Sequence, residues 1–122
     1  MPPGLHVDRL QKLEWISVAL AAIIAYWLTG ASWWLFIVLL LVPDLSMIGY
    51  LAGNRIGAIA YNLAHILVWP TGFIIWGLLG PDDLLLSLGL IWLVHIALDR
   101  ALGYGLKLPT GFRHTHLGQI GR

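Results

Sequence analysis

The sequence predicts an all-α integral membrane protein, a four-helix bundle running up-down-up-down with both termini cytoplasmic. Three observations predict it: too little charge for a water-soluble chain, four apolar runs of membrane-spanning length, and basic residues confined to one side of those runs. Of the 122 residues, 59% are hydrophobic and 11% charged, whereas a soluble domain carries about a quarter charged residues. Mean hydropathy is +0.82. A chain this short exposes much of its surface, so lipid has to be the solvent for most of it. The net charge of +1 gives nucleic acid no handle, and the absence of cysteine excludes disulfides, thiolate metal ligands and a cysteine nucleophile.

The runs follow one another closely. They cover about 10–28, 33–51, 56–79 and 84–104, each near the ~20 residues that a helix needs to cross the hydrocarbon. None alternates apolar and polar residues as barrel strands do. Residues 1–105 therefore form the four-span bundle and 106–122 a cytoplasmic tail. Thr29-Gly30-Ala31-Ser32, Gly53-Asn54-Arg55 and Gly80-Pro81-Asp82-Asp83 are tight connections that make neighbouring helices antiparallel. Ser32 and Asp82 or Asp83 are suited to cap the helices they precede. A cleaved signal peptide over the first run is disfavoured, because cleavage near Ala19–Ala22 would strand Ile23 to Leu28 as an apolar stub.

Orientation follows from the basic residues. Arg9, Lys12, Arg55, Arg100, Lys107, Arg113 and Arg122 all fall on one side of four spans, which the positive-inside rule makes cytoplasmic. Tyr26, Trp27, Trp33, Trp34 and Trp76 are expected as an aromatic belt at the outer interface.

Ionisable groups inside a span are costly and mark function unless a structural partner explains them. Glu14, Asp44, His65, His95 and Asp99 are such groups. At 1.5 Å per residue they lie roughly 6 to 13 Å from the inner ends of their helices, in one layer of the cytoplasmic half. Asn62 and His65 share a helix face at i,i+3, as do His95 and Asp99 at i,i+4. Pro43 removes an amide beside Asp44 and is expected to bend the second helix there, freeing the Leu39 carbonyl. The Gly49, Gly53 and Gly57 spacing looks like a small-residue packing motif, but it straddles a connection and is read instead as permitting the turn. Trp69 and Trp92 are read as packing residues, and Arg100 as reaching for the headgroups.

Two imidazoles and several carboxylates in one layer suit a divalent metal such as iron, zinc or manganese. Asp44, His65, His95 and Asp99 are the expected ligands, with Glu14 as a further ligand or the general base. Tyr61, Asn62, Arg100, Tyr104 and His116 are expected around them, orienting ligands or substrate. The competing reading is a hydrogen-bonded network that holds the helices together without chemistry. It makes the chain a non-catalytic subunit of a larger membrane complex or a homo-oligomer. Proton or ion passage ranks last, since the outer halves offer only hydroxyls and tryptophans.

PDLSMIGYLAG at 43–53, GAIAYNLAHI at 57–66 and HIALDRALGYGLKLPTGFRHTHLG at 95–118 resemble a family of small bacterial membrane proteins, domain-of-unknown-function family 4260. The resemblance covers almost the whole chain. It implies a bacterial inner-membrane location and a shared pattern at Asp44, Asn62, His65, His95, Asp99, Arg100, Lys107 and His116, and it leaves the chemistry open. The resulting expectation is a small membrane metalloenzyme, a hydrolase or an oxidase, working on a lipid-like substrate. Its partners are the bilayer and, in the competing reading, other membrane subunits.

Overall fold

A computed structural model describes residues 3–106, 114–115 and 118–119, with side chains from 7 to 106. The described residues are all-α apart from a two-residue antiparallel pair, β1 (His114–Thr115) with β2 (Gly118–Gln119). Helices α1 (Pro3–Thr29), α2 (Trp33–Leu39), a 3-10 helix (Val42–Ala52), α3 (Asn54–His65), α4 (Val68–Leu79) and α5 (Asp83–Ala101) follow in order. They make up four segments long and apolar enough to cross a membrane: Val7–Thr29, Trp33–Ala52, Asn54–Leu79 and Asp83–Ala101.

The connections form as their residues require. Gly30 and Gly53 take positive φ, +73° and +114°, which only glycine adopts without strain. Ser32 Oγ accepts from Trp34 N at 3.1 Å and Asp82 Oδ1 accepts from Leu85 N at 3.1 Å, so both capping expectations hold. The fourth helix stops at Ala101, short of the expected Tyr104. Gly103 at φ +93° turns the chain, its amide bonds the Arg100 carbonyl, and the Tyr104 amide bonds the Asp99 carbonyl. That pair of bonds is a Schellman ending, and it places Tyr104 outside the helix.

Two runs are broken: the second near Pro43, where a bend is expected, and the third after His65, at Ile66, four residues before Pro70. After α2 the backbone tightens, and Asp44 N bonds the Leu41 carbonyl at 3.0 Å instead of that of Leu40. An eleven-residue 3-10 helix follows, far longer than the usual short runs of this geometry. The break therefore precedes Asp44 by a turn. The third run breaks after His65, where Ile66 is extended at φ −90°, ψ 150°. Pro70 sits in the first turn of α4, where its missing amide is tolerated, but it forbids the helix from running through Ile66.

Helix α5 is the axis. It packs on α1 and α4 and touches α2, while α3 packs on the 3-10 helix. Ala22 and Tyr26 of α1 meet Leu90, Ile91 and Val94 of α5 in the apolar core. Tyr26 thus leaves the expected belt: it is fully buried, and its hydroxyl donates to the Ser32 carbonyl. Trp27, Trp33, Trp34 and Trp76 are exposed.

Glycine sets two of the close packings. A Cβ on Gly57 would lie 2.3 Å from atoms of the Tyr50 ring, and one on Gly49 would lie 2.8 Å from Ala60 Cβ. Gly77 and Gly89 meet Leu86 and Ile74 just as closely across α4 and α5. Of the three glycines read as turn-formers, only Gly53 makes the turn. Gly49 and Gly57 let the 3-10 helix and α3 approach, as small residues do between membrane helices.

Candidate metal centre

Both backbone breaks open onto the same point. Asp44 lies in the first turn of the 3-10 helix, His65 is the last residue of α3, and His95 and Asp99 stand one turn apart on α5. Their side chains converge. His65 Nε2 lies 3.1 Å from His95 Nε2, 3.3 Å from Asp44 Oδ1 and 3.4 Å from Asp99 Oδ2. His95 Nε2 lies 3.1 Å from Asp44 Oδ1 and 3.2 Å from Asp99 Oδ2. The four ligand atoms all fall within 4.8 Å of one another, and the group could hold a metal ion.

The far side of each imidazole is held by backbone. His65 Nδ1 is 2.7 Å from the Tyr61 carbonyl and His95 Nδ1 is 2.6 Å from the Leu40 carbonyl. A carbonyl only accepts, so each Nδ1 carries the hydrogen; the tautomer is assigned from the partner. In the neutral rings both Nε2 lone pairs then face each other and the two carboxylates. The Leu40 carbonyl is the one that the 3-10 turn at Asp44 releases, one residue on from the expected Leu39.

The donor set fits a small divalent ion. A tetrahedral ion with ordinary nitrogen and oxygen bonds has ligand–ligand edges of about 3.3–3.4 Å. Five of the six edges are 3.1–3.4 Å. The imidazoles are 3–4% exposed, Asp99 16% and Asp44 32%, so approach to the group is from the Asp44 side.

Surrounding residues support this group in ways the sequence expectation only partly anticipated. Tyr61 stacks on the His65 ring, centroids 3.7 Å apart and planes at 9°, with its hydroxyl donating to Asp99 Oδ2 at 3.3 Å. The abrupt end of α3 leaves carbonyls without helical partners. Trp69 Nε1 donates to Leu63 O and Trp92 Nε1 to Ala64 O, both at 2.7 Å, while Arg100 Nη2 donates to His65 O at 3.3 Å. Trp69 and Trp92 are thus carbonyl caps as well as packing residues. Arg100 turns inward, over the Trp15 ring at 5.4 Å. Pro70 is the sequence signal that could have located these caps, since it stops α3 about a turn earlier and leaves the carbonyls there open.

The remaining expected residues differ in position. Glu14 is exposed on α1, beside Gln11 and Trp15, and is not one of the four that meet. Tyr104 is 38% exposed beyond the end of α5. Asn62 is half-buried on α3, and His116 lies outside the described residues.

The family model described as domain of unknown function (DUF4260) matches residues 8–120. No curated protein and no solved structure matches the chain.

Proposed function

The chain belongs to the DUF4260 family of unknown function, and on that premise we propose that it is a four-span membrane protein with a divalent metal centre. In this reading the spans run up-down-up-down in a bacterial inner membrane, termini cytoplasmic, and the centre acts on a lipid-like substrate. Among the described residues thirty large apolar side chains are exposed, Leu51 at 90% and Leu79 at 81% the foremost, which supports lipid as their solvent. The positions of Arg9, Lys12, Arg55 and Arg100 support the orientation.

One observation carries the metal: both Nδ1 hydrogens are committed to carbonyls, so two bare Nε2 atoms stand 3.1 Å apart between two carboxylates. Protons can also fill this space, one Nε2–H donating to the other ring or each ring donating to a carboxylate. That either leaves one carboxylate without a counter-charge or sets two charged rings 3.1 Å apart. A divalent cation accepts all four and neutralises the two carboxylates, which matters where unpaired charge is expensive. Two nitrogens and two oxygens suit zinc, iron or manganese. Such an ion supplies an activated water for hydrolysis or, as iron, redox chemistry. The backbone carbonyls orient the rings, and Tyr61 steadies Asp99.

A second reading has its own support: no residue of Trp33–Ala52 is buried in the single chain. That favours a docking face for a further copy or another membrane subunit, with the centre structural.

Metal content by elemental mass spectrometry, on protein purified without a His-tag, tests the first reading. Wild type should carry near-stoichiometric metal, and His65→Ala and His95→Ala should lose it at unchanged helicity. Folded wild type that neither retains nor takes up zinc, iron or manganese on reconstitution sinks it.

A further inference from the structure

Beside the centre lies an apolar cavity of about 340 Å³. Pro43 and Ala64 line one end, and each directly precedes a residue of the centre, Asp44 and His65. Leu88 and Phe73 line it further away, seven residues from His95 along α5 and eight from His65 along the third segment. At 1.5 Å per residue the cavity extends roughly 10 Å from the centre, toward the N-terminal end of α5. In the proposed orientation that direction is away from the cytoplasm, into the bilayer.

Nothing in the lining offers a hydrogen to a ligand. Two of its side chains carry a donor. Ser46 Oγ donates to the Pro43 carbonyl at 2.7 Å, and Trp92 Nε1 donates to the Ala64 carbonyl at 2.7 Å. Val42, 44% exposed, leaves the cavity accessible from the flank of the second segment. The volume is at the small end of ligand pockets, which run from about 300 Å³ upward. A bulky ring system or a sugar would lack both room and partners there.

The geometry points to a hydrocarbon-chain site: the cavity takes one chain of an inner-leaflet amphiphile, whose polar end then lies at Asp44, His65, His95 and Asp99. The chain site stands on the cavity alone, and the placement of the polar end rests on the metal reading. The arrangement orients an amphiphile as the inner leaflet does, head toward the cytoplasm and tail toward the midplane, so that entry from the side needs no inversion. It also separates the tasks. The apolar lining seats the tail by packing without selecting a head group. Selection falls to the four polar side chains.

Photolabelling tests the site. Protein reconstituted in phospholipid vesicles is loaded with palmitic acid carrying a mid-chain diazirine, irradiated, digested and mapped by mass spectrometry. Label should saturate, yield to excess unlabelled palmitate, and concentrate on Val42, Phe73 and Leu88. Leu88→Trp, which fills the cavity, and Val42→Phe, which crowds its open flank, should each cut that labelling at least fivefold while metal content stays at the wild-type level. Label spread evenly over lipid-facing Leu51 and Leu79, insensitive to competitor and to both variants, overturns the proposal. Saturable labelling of the cavity in protein that binds no metal supports the chain site and removes only the metal reading.

Discussion

His65 and His95 show how backbone decides what a side chain can bind. Each ring gives its only hydrogen to a carbonyl, Tyr61 O or Leu40 O, and so presents a bare Nε2 to the shared space. Arg100 shows the same use of backbone partners, since its guanidinium closes the open carbonyl of His65 while lying over Trp15. Glycine is the other residue whose smallness the structure uses, and its use can be tested. A methyl group on Gly57 would overlap the Tyr50 ring, a rigid group that cannot swing aside as a chain end would. Gly57→Ala should therefore destabilise the protein by about 1–3 kcal/mol, the usual cost of overpacking. Gly72, on α4, has nothing within 4 Å of the place a methyl group would take. Gly72→Ala should instead be neutral or stabilising by up to ~1 kcal/mol, because it restrains the unfolded chain in a helix interior. Thermal melts of both variants in one detergent separate the two expectations, and equal effects would mean that the 3-10 helix and α3 can part without cost.

The elements that build the centre are the irregular ones. An unbroken second helix would pair Asp44 N with the Leu40 carbonyl, whereas the 3-10 turn pairs it with Leu41 and leaves Leu40 for His95. Pro43→Ala restores an amide and removes the ring that disfavours continuation of the helix. Helicity should hold or rise, while metal retention falls roughly tenfold or more, as when a partner of a ligating histidine is lost. Titrating wild type and variant with zinc against a competing chelator measures this; unchanged retention would mean that the Leu40 carbonyl does not orient the ring. The same irregular elements mark the limit of what sequence makes legible. Four apolar runs and their caps are legible, because composition, run length, Ser32 and Asp82 are local signals. The four residues that meet are legible too, through their common depth. The break after His65 is hidden, although Pro70 announces it, because hydropathy runs smoothly through Ile66, Leu67 and Val68. Depth alone puts Glu14 at the centre. Depth says nothing of direction around the helix, and on α1 that residue is exposed. The packing role of Gly49 and Gly57 depends on which helix lies opposite, which no spacing within one run discloses.

The whole molecule divides into a lateral axis and a vertical one. Laterally, α5 gathers α1 and α4 around it and carries both His95 and Asp99, so it holds the largest buried share of any segment, while Trp33–Ala52 has no buried residue. Vertically, the charges are asymmetric. Among the described residues, Arg9 and Lys12 lie near the start of the first segment, Arg55 near the start of the third and Arg100 at the end of the fourth. The connections at 29–32 and 80–83 carry no basic residue. If that asymmetry sets the orientation, the proposed metal centre lies in the cytoplasmic half, because Asp44, His65, His95 and Asp99 are nearer the basic end of their segments. Reporter fusions test the premise directly. A green fluorescent protein fused after residue 122 should fluoresce, and alkaline phosphatase fused there should be inactive. Alkaline phosphatase inserted at Gly30 or between Pro81 and Asp82 should be active. The reverse pattern at all three sites would turn the molecule over and place the centre beneath the outer face, where amphiphiles of the opposite leaflet would reach it. A mixed pattern would mean that one of the broken segments does not cross at all, and the segment to suspect first is Trp33–Ala52, whose 3-10 half packs on α3 through glycine.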